Sequence, residues 1–98
     1  MKTRPVMPAD FADVLALNEE SVQYLSPLSL ARLSDLHRQS EFHRVVEAGG
    51  RVIAFILALR QGADYDSVNY RWFAQRYAEF LYIDRVVVSR DAHGNGAG

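Results

Sequence analysis

Three sets of residues in this 98-residue chain are of a type and spacing that could do chemistry. The first is glycine at every second position, Gly94, Gly96 and Gly98, closing the stretch "VVVSRDAHGNGAG". Glycine opens backbone dihedrals closed to other residues and lets a ligand approach the main chain. Where such a segment leads from a strand into a helix, the free N–H groups of the first helical turn point outward and, with the helix dipole, bind phosphate. The competing motifs fit poorly: a P-loop needs Gly-Lys-Ser/Thr at its end, and the dinucleotide fingerprint needs its third glycine one position beyond Gly98. The plain alternative is a flexible tail. The second set is Asp84, a carboxylate inside the apolar stretch "EFLYIDRVVV". Unpaired there it would be costly and harder to ionise, which suits a proton acceptor; paired with Arg85, Arg51 or Arg44 it would be a salt bridge. The third is His37 and His43, with Asp35 and Glu41 nearby. A six-residue step does not bring two imidazoles to one helical face, and a change from helix to strand falls between them, so they are expected to be surface residues and no metal site is expected.

The elements that must position these groups form one domain spanning residues 1–98, too small to divide. Composition is that of an ordinary globular protein, with 49% apolar and 23% charged residues. Eleven basic against twelve acidic residues leave a net charge of -1, so nothing draws the chain as a whole to nucleic acid or an anionic membrane. The absence of cysteine removes disulfides, thiolate ligands and thiol nucleophiles, and suits a reducing interior, with the cytoplasm as default. The longest apolar stretch, Val52 to Leu59, is too short to span a bilayer.

"TRPVM" reads as a short strand, with Pro8 at a position where a helix can begin. Val14, Leu15 and Val22 then fall on one helical stripe, with Leu17 to the side. Asn18 shares that stripe, as a satisfied core amide or as part of a site. Pro27 breaks the helix, and Ser29 caps a second one carrying Leu30, Leu33 and Leu36. "EFHRVVEAGGRVIAFILALR" is a hairpin turning at Gly49-Gly50. Its second strand is apolar on consecutive positions, which predicts cover on both faces of the sheet. Residues 62–78 and the strand after them hold seven of the eleven aromatics. Asn69 could cap a short helix there, with Tyr70, Phe73 and Tyr77 on one side, forming either a flap pinned to the sheet or an aromatic wall beside a pocket. The last strand, Glu79 to Val88, would show Phe80, Tyr82, Asp84, Val86 and Val88 on one face. The order strand, two helices, three strands is α+β.

With these elements in place, "YIDRVVVSRDAHGNGAG" resembles the acyl-CoA-binding segment of the GNAT superfamily of N-acetyltransferases. There the fourth strand runs into a turn written roughly Arg/Gln-x-x-Gly-x-Gly/Ala. His93 stands at the Arg/Gln position, Gly96 and Gly98 at the small positions, and Gly94 at a frequent additional glycine. "TRPVMPADFADVLALNEESV" is similar to the family's first strand and helix, and "EAGGRVIAFILA" to its second and third strands. The resemblance implies the N-terminal half of a GNAT fold: a mixed or antiparallel sheet with helices on its faces, the C-terminal half missing. It implies acetyl-CoA as co-substrate, its pantetheine arm paired with the main chain of Val86, Val87 and Val88, and its pyrophosphate held by His93, Gly94, Asn95, Gly96, Ala97 and Gly98.

The implied activity is acetyl transfer to a primary amine of a small molecule or of a peptide or protein N-terminus. That chemistry needs a base for the amine, donors for the oxyanion and a proton for the leaving thiolate. Asp84 is the candidate base, with Tyr82 and Glu79 as helpers, although the family often carries a glutamate nearer the position of Tyr82. Asn18, Tyr24, Pro27, Tyr70 and Trp72 are the candidate acceptor-side residues. Tyr82 and His93 depart from the family pattern, and these departures favour an alternative, a non-catalytic acyl-CoA-binding or interaction module. Family members continue past the turn into a helix and a fifth strand. The chain as written is therefore expected to be inactive alone, with its last strand left as an edge through which a homodimer could form.

Overall fold

Two glycines and two serines set the local frame. Gly49 and Gly50 adopt φ of 59° and 77°, the positive pair that a two-residue hairpin turn demands. They join β2 (Phe42–Ala48) to β3 (Arg51–Arg60). Ser29 accepts the Arg32 N–H on Oγ at 3.1 Å and starts α2 (Leu30–Gln39), as expected. Ser67, not Asn69, caps α3 (Val68–Arg76), accepting the Tyr70 N–H at 3.3 Å from an extended backbone. The computed structural model describes residues 1–23 and 25–90, and its remaining elements are β1 (Lys2–Pro5), one 3₁₀ turn (Pro8–Asp10), α1 (Phe11–Glu20) and β4 (Leu81–Val88). No helix among the described residues is long and apolar enough to cross a membrane.

The fold is α+β, with an open sheet in the order β1-β2-β3-β4 and every neighbouring pair antiparallel. On one face Val45, Phe55 and Val87 pack against Val6, Phe11, Val14, Leu17 and Leu33. Beside them Leu57 and Leu59 pack against Leu36, Tyr65 and Tyr70. Leu17 is thus a core residue: it stands three positions from Val14 on a stripe that also holds Phe11 and Asn18, and the helix ends before Val22 can join it. Leu30, expected on the core stripe of α2, is 59% exposed.

The opposite face differs from expectation. It carries Val46, Ala54, Ile56, Ala58, Val86 and Val88, none of which belongs to either core cluster. Among the described residues no helix covers it, and Leu81, Ile83 and Val86 stay more than half exposed. β3 nonetheless buries consecutive positions, because Ala54 and Ala58 are small and shielded by larger neighbours. A shallow apolar depression of about 300 Å³ lies there, lined by Phe42, Val46, Ile56 and Val86 among others.

β4 contains a bulge. Leu57 opposes Arg85 and the next residue, Ala58, opposes Ile83, so Asp84 is inserted without a cross-strand partner. One extra residue reverses the phase of the alternation. The single face expected for Phe80, Tyr82, Asp84, Val86 and Val88 is therefore split. Tyr82 lies opposite core residue Leu59; beyond the bulge Arg85 and Val87 face the helices while Val86 and Val88 turn to the bare side.

Candidate functional site

The bulge gathers a buried polar network. Asp84 and Arg85 side chains are 5% and 3% exposed and form an ion pair, Arg85 Nε donating to Asp84 Oδ2 at 2.6 Å. Tyr65, from the β3–α3 connection, donates its hydroxyl to Asp84 Oδ1 at 2.6 Å. Arg85 Nη1 donates to Asn18 Oδ1 of α1 at 3.0 Å and to the Ser26 carbonyl at 3.1 Å. Asn18 Nδ2 donates to that same carbonyl at 3.1 Å. Burial, reinforced by the hydrogen bond to Asp84, pushes the Tyr65 hydroxyl up to about 12, so it remains a donor at neutral pH. The Arg32 guanidinium lies 5.0 Å over the Tyr65 ring and pairs with Asp66, which steadies the tyrosine from outside.

The salt bridge from Asp84 to Arg85 is formed, and both carboxylate oxygens already accept hydrogen bonds. A buried pair satisfied in this way is costly to break from either side, so the network fixes four segments relative to one another: β4, the β3–α3 connection, α1 and the loop at Ser26. Asn18 is at once a satisfied core amide and a member of the cluster. The other expected acceptor-side residues are dispersed. Tyr70 is 2% exposed, donates its hydroxyl to the Arg60 carbonyl and accepts the Ala63 N–H, so it is a pin in the core and not a pocket wall. Trp72 is on the outside of α3 beneath Arg76, whose guanidinium stacks 4.1 Å from its ring. Pro27 is exposed one residue beyond Ser26. The pinned-flap reading of the aromatics is the one the packing supports. Tyr24 lies outside the described residues.

At the start of β4, Tyr82 is half-buried against the rings of Tyr70 and Phe73, at 5.5 and 5.8 Å between centroids, and Glu79 is exposed. At its end, Val87 is in the core while Val86 and Val88 are on the bare face. No strand pairs with the outer side of β4 among the described residues. The exit is tied down: Arg90 donates its N–H to Glu20 Oε1 at 3.1 Å and its guanidinium to the Glu20 carbonyl at 2.9 Å. The glycine-rich segment His93 to Gly98 lies outside the described residues.

His37 and His43 are not separate surface residues. Their Nδ1 atoms are 2.8 Å apart, and His43 is only 7% exposed. The helix ends at Gln39 and the chain enters β2 within three residues, so His43 points to the same side as Val45 and meets the last turn of α2. Alternation of His43 with Val45 was the signal available in the sequence. Burial, then the neighbouring His37, pushes His43 down to about 4, and among the described residues its Nε2 has no hydrogen-bond partner. Among the described residues no group of three or more His, Cys, Asp or Glu could hold a metal ion. No family model, curated protein or solved structure gives a match to the chain.

Proposed function

We infer that the chain is part of an N-acetyltransferase that moves the acetyl group of acetyl-CoA to a primary amine. The reading rests first on the resemblance of "YIDRVVVSRDAHGNGAG" to the acyl-CoA-binding segment of the GNAT superfamily. The observation that carries it further is the setting of that segment: a bulged edge strand with no strand on its outer side among the described residues, leading directly into the alternate glycines. An extended pantetheine arm can add to such an edge as a strand would. Anchoring of Arg90 on Glu20 fixes the chain just before the phosphate-binding segment would begin.

In this reading the amine nitrogen attacks the thioester carbonyl, the carbon–sulfur bond breaks, the amine proton leaves to a base and the thiolate takes up a proton. Asp84 is the least available of the three candidate proton carriers because its oxygens are engaged. Glu79, exposed at the mouth of β4, and Tyr82, at the rim of the aromatic cluster, are left for those roles. The engagement of Asp84 is also what favours the second reading, an acyl-CoA-binding module without turnover. Titration of the natural full-length polypeptide with coenzyme A, followed by an assay of thiol release from acetyl-CoA on adding amines, separates the two. Binding with amine-dependent thiol release supports the enzyme, binding alone supports the module, and no response at millimolar coenzyme A removes both.

A further inference from the structure

We propose that Arg85 is a positioning residue, whose guanidinium fixes the α1–α2 loop, residues 21–29, against the bulge of β4 and thereby sets where the acceptor amine meets the acyl group. The first half of this proposal stands on geometry alone; the second rests on the acetyl-transfer reading. The loop's described residues, 21–23 and 25–29, hold no helix or strand, and a local closure runs from the Leu25 N–H to the Ser21 carbonyl at 3.0 Å. Its apolar residues Leu25 and Leu28 are only partly buried against the cores. The link to the sheet is made at Ser26. Its carbonyl accepts from Arg85 Nη1 and Asn18 Nδ2, both at 3.1 Å, and its hydroxyl lies 3.4 Å from Arg85 Nη2. The same guanidinium holds Asn18 through Nη1 and Asp84 through Nε. One planar fork therefore spans α1, the loop and the bulge, and a lysine ammonium, which is a single point of charge, cannot reproduce that spread.

The proposed acyl-CoA elements are held by other means. Ser89 donates its N–H to the Ile53 carbonyl at 2.7 Å, and Arg90 is tied to Glu20. Loss of the fork should then move the acceptor side without moving the acyl-CoA side, and misplacement by about 1 Å is enough to cost on the order of 10²-fold in rate.

Two variants test this. Arg85→Lys keeps the charge opposite Asp84 and removes the fork; the double variant Asp84→Asn with Arg85→Met strands no ion. In both, amide hydrogen exchange in residues 21–29 should quicken by roughly tenfold or more while β2 and β3 keep wild-type protection. In the natural full-length polypeptide, the KM for the amine should rise by about tenfold and kcat should fall, for a loss on the order of 10²-fold in kcat/KM, while the KM for acetyl-CoA stays within about twofold. Loop exchange as slow as wild type, or exchange rising evenly through the sheet, overturns the first half. Parallel increases in both KM values overturn the second. A wild-type polypeptide that binds no coenzyme A defeats the acetyltransferase reading and the second half with it, while the exchange measurement still decides the first.

Discussion

Lowering the pH from 7 to 5 should weaken this fold through His43. His43 is buried, its Nδ1 faces Nδ1 of His37 at 2.8 Å, and its Nε2 is buried without a partner among the described residues. An orphaned acceptor is tolerated better than an orphaned N–H, so the tautomer that fits has the proton on Nδ1, donated to His37. Protonation of His43 would bury both a charge and an unpaired Nε2 donor. Of the groups around it, His37 on α2 opposes that charge and Asp10 on the 3₁₀ turn favours it, but Asp10 is already held by Arg4 through two hydrogen bonds of 2.7 Å. The result is a pKa depressed from 6.5 to about 4. The folded state then binds fewer protons than the unfolded one between those values. Stability due to this group is complete above the unfolded pKa and is lost as pH falls from about 6.5 to about 4. Linkage gives about 3 kcal/mol over the whole window and about 2 kcal/mol between pH 7 and pH 5. Urea denaturation of the wild type and of His43→Leu at both pH values measures it: the wild type should lose about 2 kcal/mol more than the variant, which has nothing to protonate at that site. Equal losses in the two proteins would refute the argument.

Three further outcomes follow from the same fold. Asp84→Asn leaves the Arg85 charge buried without its counter-ion and should cost about 3–5 kcal/mol, much of which the added Arg85→Met change recovers, as denaturant midpoints would show. Gly50→Ala meets no atom within 4 Å but must hold φ of +77°, so it should destabilise by about 1–2 kcal/mol through backbone strain alone, read from the thermal midpoint. Ile83→Lys with Val86→Lys, both on the bare face of β4, should change monomer stability by less than about 1 kcal/mol and should dissociate any homodimer formed through that strand; sedimentation that finds a monomer at every concentration leaves the proposed homodimer without support.

Much of the framework is legible from local chemistry. The Gly49-Gly50 turn, the Ser29 cap and the inward Asn18 each follow from a rule that acts within a few residues. What escapes sequence reading is set by contacts across the fold. A run such as Val52 to Leu59 looks covered on both faces because apolar character alone does not distinguish a bare apolar face from a packed one. Tyr70 resembles a pocket aromatic until the Arg60 carbonyl and Ala63 N–H are seen on its hydroxyl. His37 and His43 meet only because β2 returns beside the end of α2. Tyr65 and Ser26 enter the network through side-chain and carbonyl partners distant in sequence, at separations of 19 and 59 residues from their partners Asp84 and Arg85.

The pair Asp84-Arg85 is an instructive exception, because it could have been read. In a regular strand successive side chains point to opposite faces, so neighbouring residues of opposite charge cannot pair over one face. An acid and a base side by side within "YIDRVVV" therefore leave two arrangements: one charge on each face, or a bulge that turns both to the same side. The apolar residues of β4 decide it. With regular alternation, Tyr82 and Val87 could not both face the helices, since they are an odd number of positions apart. Both carry apolar surface suited to a core, and an inserted residue between them is the change that puts both there. The ion pair and the bulge are thus one feature: the insertion brings the charges together, and their mutual satisfaction, with Tyr65 and Asn18, makes the insertion affordable in a buried strand. The same insertion leaves Asp84 outside the ladder of β4, which among the described residues is an edge strand.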